Sequence, residues 1–420
     1  MIRRKSRLIR YVLFSAFALI LLDLLLSYRL TYPRLERTRR GQELTGVKSV
    51  YLASSQWNSG KLLEQHWIPS LLQLISDLGA AKVSVFVSIY ENGSWDSTKS
   101  VLQQLRQTLE RLGVQHSVNI DDTSHEQIVA RNASSSGWLN TAYGKEMRRI
   151  PYLASIRNEA LRPLSTLSES GAKFDKILYI NDVVFSSTDA LTLLNTRKGD
   201  YAAACGLDFL NPPWNWVDRK IRGNHPPGMY DDFATRDSNG GTLGSHLYPY
   251  FSSRLSKTAI MAGREVPVQS CWNGMVAFDA APFQSAENPL RFRGIPDSLA
   301  QTHVEASECC LIHYDNPLSS KHGVWINPSV RVAYSSTAYQ AVSDGLKPQW
   351  PTKSELHFGA WKTRWFWWLR DPGSPSKTWY RVRQWQRHNP NAFEPGLACA
   401  SDLAMVLTSN GWAMRGARFE

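Results

Sequence analysis

One aspartate interrupts an apolar run at a place where a sheet could hold a cation or a polar ligand. Lys176 to Phe185 reads KILYINDVVF, in which Asn181 and Asp182 separate two apolar stretches. The first stretch is typical of a central strand in an α/β sheet, and such sheets bind ligands just beyond the carboxyl ends of their strands. Asp182 is therefore a candidate metal ligand. The alternative is that Asn181 and Asp182 only cap the turn that follows.

A second group of candidate residues lies close together later in the chain. Glu305, Glu308 and His313 fall within nine residues of one another. Cys309 to Ile312 is apolar and predicts a short strand leading to His313. An imidazole and a carboxylate suit Mn²⁺, which accepts nitrogen and oxygen ligands. The alternative for His313 is a structural role in the core.

The elements that would position these residues alternate between strand and helix. The predicted strands are residues 47–54, 82–90, 114–120 and 176–182, and the predicted helices are residues 61–78, 98–112 and 152–168. This alternation predicts an α/β fold with a doubly wound, mostly parallel sheet and flanking helices, in which KILYIND is the fourth strand. A helix at 189–194 and a strand at 201–209 should follow. Residues 211–244, rich in Pro, Gly and Asn, then predict a long functional loop.

The positive charge of the chain is concentrated at its start. The first 40 residues hold ten Arg or Lys and two acidic residues, a balance of 10 − 2 = +8. The formal net charge of the whole chain is +12, which leaves +4 for the other 380 residues. A basic character confined to one end argues against a nucleic-acid partner.

An apolar segment of bilayer-spanning length follows the basic residues. Residues 11–30 are predicted to form a transmembrane signal anchor, with residues 1–10 as a cytoplasmic tail and residues 31–46 as a stem. A cleaved signal peptide is the alternative, but the apolar run is long and no small-x-small site follows Ser27. In this single-pass type II arrangement, a domain at 47–335 and a Trp-rich extension at 336–420 are lumenal.

Sequons and cysteines fit a lumenal body. Asn92-Gly93-Ser94 and Asn132-Ala133-Ser134 are acceptor sequences for N-linked glycans, so Asn92 and Asn132 are candidate glycosylation sites. The five cysteines permit two disulfides and one free thiol in an oxidising compartment. Their spacing carries no zinc signature.

Six short blocks of the chain resemble the fungal capsule-associated α-1,3-mannosyltransferases, glycosyltransferase family 69, in the order of that family. They read RNEALRPL, NDVVF, LDF, CWNGMVAFDA, FRGIPDSL and SECCLIHYDN, and the resemblance extends over roughly residues 47–332. It implies a GT-A fold, GDP-mannose as the donor, a mannose-containing glycan as the acceptor, Mn²⁺ or Mg²⁺ as the cofactor, and a place in the Golgi membrane.

The resemblance also implies roles for individual residues. Asp182 takes the place of the metal-binding DxD motif, which here reads Asn181-Asp182-Val183 with a single carboxylate, and His313 is the second expected ligand. The residues expected to bind the donor are Arg157, Asn158, Asn181, Trp272 and Asn273. The carboxylates expected to orient mannose and to stabilise its developing positive charge are Glu308, Glu305 and Asp279. Those expected to bind acceptor hydroxyls are Asp208, Asp231 and Asp232. An α-linked donor and an α-1,3 product imply a retaining reaction, in which the leaving phosphate takes the proton of the acceptor hydroxyl.

Other interpretations remain open at the level of the sequence. The same fold could use UDP-xylose or UDP-glucuronate, or the chain could be a non-catalytic membrane-anchored capsule-biogenesis factor or a lumenal lectin. Arg157 could instead form a surface salt bridge with Glu159 or Asp189, and Trp272 could be a core residue. The Trp-rich and Arg-rich tail is expected to pack onto the body as amphipathic segments rather than to bind sugar.

Overall fold

The computed structural model describes residues 11, 14–22, 44–130, 136–211, 227–343, 350–351, 374–409 and 411–415. Within these residues, no helix combines the length and the apolar character of a bilayer-spanning segment. Much of the predicted tail, anchor and stem lies outside the described residues, and so does the sequon at Asn132.

Strands account for the centre of the molecule. In chain order they are β1 (Ser49–Gln56), β2 (Ser84–Asn92), β3 (Gln115–Asp121), β4 (Trp138–Thr141), β5 (Gly144–Met147), β6 (Lys176–Ile180), β7 (Ala203–Leu210), β8 (Gly228–Met229), β9 (Arg236–Asp237), β10 (Val266–Ser270), β11 (Met275–Asp279), β12 (Glu305–Ala306), β13 (Val324–Ala333), β14 (Ala400–Ser401), β15 (Met405–Thr408) and β16 (Gly411–Met414). Ten of them form one sheet in the order β3-β2-β1-β6-β11-β7-β13-β10-β9, with β8 paired to β7.

The sheet is mixed, although most of its strands share one direction. β3, β2, β1 and β6 are parallel neighbours, as the alternation of strand and helix predicts. In the described part of the sheet, β8, β10 and β11 run against the other seven strands. The doubly wound prediction therefore holds for the first half of the sheet. It is incomplete for the second half, where β11 is inserted antiparallel between β6 and β7.

Helices cover both faces of this sheet. They are α1 (Ile68–Ala80), α2 (Thr98–Arg111), α3 (His125–Val129), α4 (Arg149–Glu169), α5 (Ser187–Leu194), α6 (Arg254–Met261), α7 (Asp297–Ala300), α8 (Glu308–Asp315), α9 (Ser319–His322), α10 (Ser336–Val342) and α11 (Ser374–His388). A one-turn helix, Gly60–Leu62, and a π-turn, Leu63–Trp67, lead into α1.

Alternation along the central strands separates two apolar cores. In β6, Ile177 and Tyr179 pack with α4 on one face, while Leu178 and Ile180 pack with α1, α2 and α5 on the other. This is the two-residue period expected of a strand buried on both faces. Because α4 precedes β6 and returns along the sheet, its amino-terminal half lies towards the carboxyl edge of the parallel strands, with Arg157 over Tyr179 of β6.

The C-terminal segment is fastened to the sheet domain. A disulfide joins Cys310 in α8 to Cys399, and β14 pairs with β12. Arg236, whose side chain is buried, donates hydrogen bonds to the carbonyl oxygens of Ala398 and Cys399 at 2.7 and 3.0 Å. With the second disulfide, Cys205–Cys271, and the free Cys309, the structure confirms two bridges and one thiol.

Candidate active site

Asp182 occupies the centre of a tight turn at the carboxyl end of β6. The backbone N–H of Val183 donates to the carbonyl oxygen of Asn181 at 2.9 Å, which closes a three-residue turn around Asp182. The same carbonyl accepts the indole N–H of Trp67 at 3.0 Å. A bridge between Val184 and β13 fixes the chain on the other side of the turn. Asp182 thus stands at the edge of the sheet on a backbone held from both sides.

The Asp182 carboxylate has no matched partner. Among the described residues, no other residue donates a hydrogen bond to it. Burial raises the pKa of Asp182 to about 6, and the nearby Arg157 opposes that shift only in part. A bound cation would stabilise a carboxylate in this position, because the cation would replace the interactions with water that burial removes.

Arg157 lies beside Asp182 and is paired with Glu308. Its Nε donates to Oε1 of Glu308 at 3.0 Å, and Glu308 is only 2 % exposed. The Cys309 thiol approaches the same oxygen at 3.5 Å. Among the described residues, both hydrogen bonds to Glu308 therefore end on Oε1. The predicted catalytic role of Glu308 stays a prediction, in which its other carboxylate oxygen would face the sugar.

Helix α8, rather than a strand, presents Glu308. Ser307 is its N-cap, and its hydroxyl accepts the backbone N–H of Cys309 at 3.2 Å. The predicted strand at Cys309 to Ile312 is wrong, because a short apolar run fits a buried helix as well as a strand. As a first-turn residue, Glu308 also benefits from the helix dipole.

The Trp272 ring packs against the Arg157 guanidinium and is not open to a sugar. The guanidinium carbon of Arg157 lies 4.2 Å from the Trp272 ring centroid, and Trp272 is 3 % exposed. Its indole N–H donates to Oδ1 of Asn181 at 3.1 Å. Stacking of Trp272 on the sugar is thus wrong for this arrangement. Instead, Trp272 positions both Arg157 and Asn181.

The turn after Trp272, formed by Asn273 and Gly274, lies next to Asp182. Asn273 adopts a left-handed conformation, φ +54°, and its side chain accepts from Thr235 and donates to the carbonyl oxygen of Gly206, both at 2.8 Å. Gly274 follows with φ +72°, and a Cβ there would lie 2.9 Å from Val183. The Asn273 side chain is therefore satisfied within the protein, which gives it a positioning role rather than the predicted contact with the donor.

Asp208, which is buried, and Asp231, which is half-buried, form an acidic pair next to this turn. The Asp231 backbone N–H donates to Oδ1 of Asp208 at 3.2 Å, and the Tyr334 hydroxyl donates to Oδ2 at 3.3 Å. Asp231 in turn accepts the backbone N–H groups of Ala234 and Asn273. Burial, and then the charge of Asp231, raise the pKa of Asp208 to about 8. Asp208 is fully buried, so the predicted contact with acceptor hydroxyls is wrong for it.

Two side chains next to this acidic pair are accessible to solvent. Asp232 is partly exposed, with its carboxylate 3.6 Å from Nε2 of His246. Tyr230 is 44 % exposed and packs edge-on against Tyr334, with centroids 4.9 Å apart. The sequence interpretation overlooked both tyrosines. Their position directly after a strand and beside an acidic pair is the signal that could have found them.

His313 is not a partner of Asp182 in this structure. Its Nε2 contacts the carbonyl oxygen of Cys271 at 2.6 Å, its ring stacks on Phe278, and burial lowers the pKa of His313 to about 4. In the described ranges, the one set of three or more side chains close enough to share an ion is Cys205, Cys271 and His313. Its cysteines are joined in a disulfide and offer no thiolates. The prediction of His313 as a ligand beside Asp182 gains no support.

Two predicted catalytic carboxylates serve the fold instead. Glu305 is 2 % exposed and receives two hydrogen bonds from Arg148, at 2.7 and 3.0 Å. Asp279 pairs in the sheet with Lys176, the first residue of β6, and accepts its ammonium at 3.2 Å. Asp279 therefore lies at the edge of the sheet opposite Asp182. Both assignments to catalysis are wrong. Glu305 is paired with Arg148, and the direction of β11 places Asp279 at the opposite edge of the sheet.

Asn158 and Asn92 also differ from expectation. The Asn158 amide makes two hydrogen bonds, at 2.9 and 3.0 Å, with the backbone of Phe292, so it holds that loop rather than the donor. Asn92 is the last residue of β2 and is 8 % exposed. The folded chain exposes little of this asparagine, and its glycosylation stays a prediction.

A cavity of about 500 Å³ opens at the same edge of the sheet, next to the ends of β2 and β3. Its lining includes Tyr90, Asn92, Asp121, Tyr152 and Glu159. The Tyr90 hydroxyl donates to Asp121 at 2.7 Å. In the sheet, β1 alone separates β2 from β6, so the cavity and Asp182 lie at the same edge of the sheet, two strand spacings of about 4.8 Å apart across the strands.

Comparison with known proteins places this arrangement among mannosyltransferases. The family model described as "Cryptococcal mannosyltransferase 1" matches residues 49–315, which is more than half of the chain. Among curated proteins, none matches the sequence.

Solved structures give distant likenesses. The mannosyltransferase PcManGT from Pyrobaculum calidifontis, in complex with GDP-Man and Mn²⁺, is 11 % identical, with 91 % of this chain and 86 % of that chain covered and a TM-score of 0.35. GalNAc-T7 with UDP, GalNAc and Mn²⁺ is 10 % identical, with 72 % and 47 % covered and a TM-score of 0.36. The mannosyltransferase Ktr4p from S. cerevisiae is 14 % identical, with 64 % and 67 % covered and a TM-score of 0.26. Likenesses at this level carry no argument about function.

The family match, in contrast, runs from the first residue of β1 to the last residue of α8 and includes the elements that carry Asp182, Arg157 and Glu308. The chain therefore belongs to the family of Cryptococcal mannosyltransferase 1.

Proposed function

We propose that this protein is a retaining mannosyltransferase that moves mannose from GDP-mannose to a mannoside acceptor in α-1,3 linkage, in fungal capsule, cell-wall or glycan synthesis. One observation carries the proposal: the unmatched Asp182 carboxylate stands next to the Arg157–Glu308 pair, inside the region that the mannosyltransferase family covers. In the cell, the N-terminal apolar segment would hold the protein in the Golgi membrane with this site in the lumen.

The residues around Asp182 fit a divalent cation that is held partly by the substrate. Mg²⁺ and similar ions are often bound by one or two carboxylates together with substrate phosphates. A single half-buried carboxylate that receives no hydrogen bond from another described residue meets that description. When bound, Mn²⁺ or Mg²⁺ supplies positive charge for the leaving diphosphate.

The side chains of the protein would then orient the sugar. Glu308 is fixed through Oε1 by Arg157, so its other oxygen is available to face the sugar carbon that gains positive charge. Arg157 is itself held flat on Trp272, which limits the motion of the pair. In the reaction, the acceptor oxygen forms a bond to the sugar carbon as the bond between that carbon and the phosphate oxygen breaks. The proton of the acceptor hydroxyl passes to the leaving phosphate.

A donor panel tests this proposal. The full chain, purified in detergent, is incubated with an α-mannoside and GDP-mannose, UDP-xylose or UDP-glucuronate, with Mn²⁺ or with EDTA. We expect transfer from GDP-mannose alone, loss of transfer in EDTA, and an α-1,3 linkage in the product by NMR. Transfer from a UDP-sugar would replace the donor. Nucleotide binding without transfer from any donor would favour a non-catalytic capsule factor.

A further inference from the structure

Two adjacent arginines at the start of α4 have different surroundings. Arg148 is fully buried and is paired with Glu305 at 2.7 Å and with Asp297 at 2.6 Å. Arg149 has no carboxylate within ion-pair distance among the described residues. The fold therefore neutralises the first arginine and leaves the second one charged and unmatched.

The contacts of Arg149 do not replace an anion. Its guanidinium lies 5.2 Å from the ring centroid of Trp412, and Nη1 lies 3.8 Å from the sulfur of Met405. Its Nε is buried and has no hydrogen-bond partner. A partly buried cation with an unused N–H group is unfavourable unless an acceptor from outside completes it.

The position of Arg149 indicates where that acceptor would come from. With 100° per residue, Ile156 and Tyr152 lie about 20° and 60° from Arg149 on one side of α4, and Arg157 lies about 80° away on the other side. Ile156 and Tyr152 line the 500 Å³ cavity. Along the helix axis, Arg149 lies about 12 Å from Arg157, in the direction in which the parallel strands end. It thus projects between the cavity and the Asp182 centre.

Tyr230 gives an independent sign of this placement. Burial raises the pKa of Tyr230, and the charges of Asp208, Asp231 and, least of all, Asp182 add to the increase, while the charge of Arg149 opposes it. The Tyr230 phenol is therefore within electrostatic reach of both Arg149 and Asp182. The two charges face the same part of the cleft from different elements.

We propose that Arg149 binds the diphosphate of the nucleotide-sugar donor, in the stretch of cleft between the cavity and Asp182. The inference rests on the proposed function. It moves the main diphosphate contact from Arg157, which is already paired with Glu308, to the arginine that lacks an acidic partner. A guanidinium suits this task because its planar N–H groups match two phosphate oxygens at once.

Binding of GDP and of guanosine by the full chain, in detergent with Mn²⁺, tests the assignment by calorimetry. For Arg149→Gln we expect the Kd for GDP to rise about 10-fold to 100-fold, because a charge-assisted contact is lost. The Kd for guanosine, which has no phosphate, should not change. Arg149→Lys should recover part of the GDP affinity. Arg106→Gln removes the same charge from an exposed position of α2 on the other face of the sheet and should bind GDP like the wild type.

Two results would overturn the assignment and leave the proposed function intact. One is a GDP affinity of Arg149→Gln equal to that of the wild type. The other is an equal loss of GDP and guanosine together with a lower melting temperature, which would mean that Arg149 only secures Trp412. Failure of the wild type to bind GDP would instead overturn the proposed donor, and the assignment with it.

Discussion

The aspartates at the two ends of β6 differ in the hydrogen bonds that they accept. At the amino end, Asp279 accepts the Lys176 ammonium and the backbone N–H of Ala281, at 3.2 and 3.0 Å, and Asp175 accepts three hydrogen bonds from Lys48 and Ser49. At the carboxyl end, the Asp182 carboxylate receives no hydrogen bond from another described residue. The same strand thus joins an edge where carboxylates are paired to an edge where a carboxylate receives no hydrogen bond from another described residue.

The difference shows how to separate structural from functional acids in this chain. A buried acid that is fully paired stabilises the fold, and its removal is felt as instability. A buried acid without a partner destabilises the fold, and its presence calls for a function. The variants below test this distinction.

The largest effect is expected for the two ends of β6. Asp182→Asn keeps the shape of the side chain and removes its charge, so the kcat/KM of mannosyl transfer should fall about 1,000-fold. Asp279→Asn should retain transfer, since it lies at the opposite edge of the sheet. Steady-state transfer from GDP-mannose measures both. An active Asp182→Asn, or an inactive but folded Asp279→Asn, would remove the distinction between the edges.

The next contrast concerns two glutamates three residues apart. Glu308→Gln should lower kcat about 100-fold, because the charge that faces the sugar is lost. Glu305→Gln should lower the free energy of unfolding by about 3 kcal/mol, since the buried Arg148 loses its one fully buried carboxylate partner among the described residues, and leave kcat per folded molecule unchanged. Denaturant unfolding and transfer assays on both variants separate the two roles. Equal kcat losses would show that both glutamates act in catalysis.

A smaller effect should appear in the pH dependence of stability through Asp208. Its pKa is about 8 in the folded protein and near 3.8 when unfolded, so stability should decrease as the pH rises from about 4 to about 8. Asp208→Asn removes this titration while its amide still accepts from Asp231. The variant should therefore lose less stability than the wild type over this range, by a few kcal/mol at most. Identical pH profiles of the melting temperature would contradict the buried proton.

The smallest effect is expected for an exposed acid at the amino edge. Asp200 contacts His322 at 2.6 Å, but its side chain is 63 % exposed. Such surface pairs contribute little, so Asp200→Asn should change neither the melting temperature nor the rate of transfer. A clear loss of either property would show that the amino edge carries more than structural charge.

Local sequence patterns predicted the first half of the sheet well. β1, β2, β3 and β6 and the helices between them each depend on a period that is visible within ten to twenty residues. The position of Asp182 at the end of a strand follows from the same pattern. Its lack of a partner does not, because that requires the arrangement of α4, α8 and the turn after Trp272.

The second half depended on information that no short segment contains. Asp279 and Asp182 both lie in apolar surroundings, and only the reversed direction of β11 separates them by the length of β6. Glu305 and Glu308 have similar neighbours in sequence. In the structure, however, Glu305 binds Arg148, the residue before α4, and Glu308 binds Arg157 within α4. Tertiary pairing decided both cases.

The attachment of Cys399 to α8 also has a consequence for how the protein is made. Cys310 lies in the helix that presents Glu308, and its disulfide partner is 89 residues later. A nascent chain cannot close that bridge, or add β14 to β12, until the residues up to Ser401 have been synthesised. The attachment of α8 is therefore completed late, and a fragment that ends with the family match at residue 315 would lack the segment that is bridged to α8.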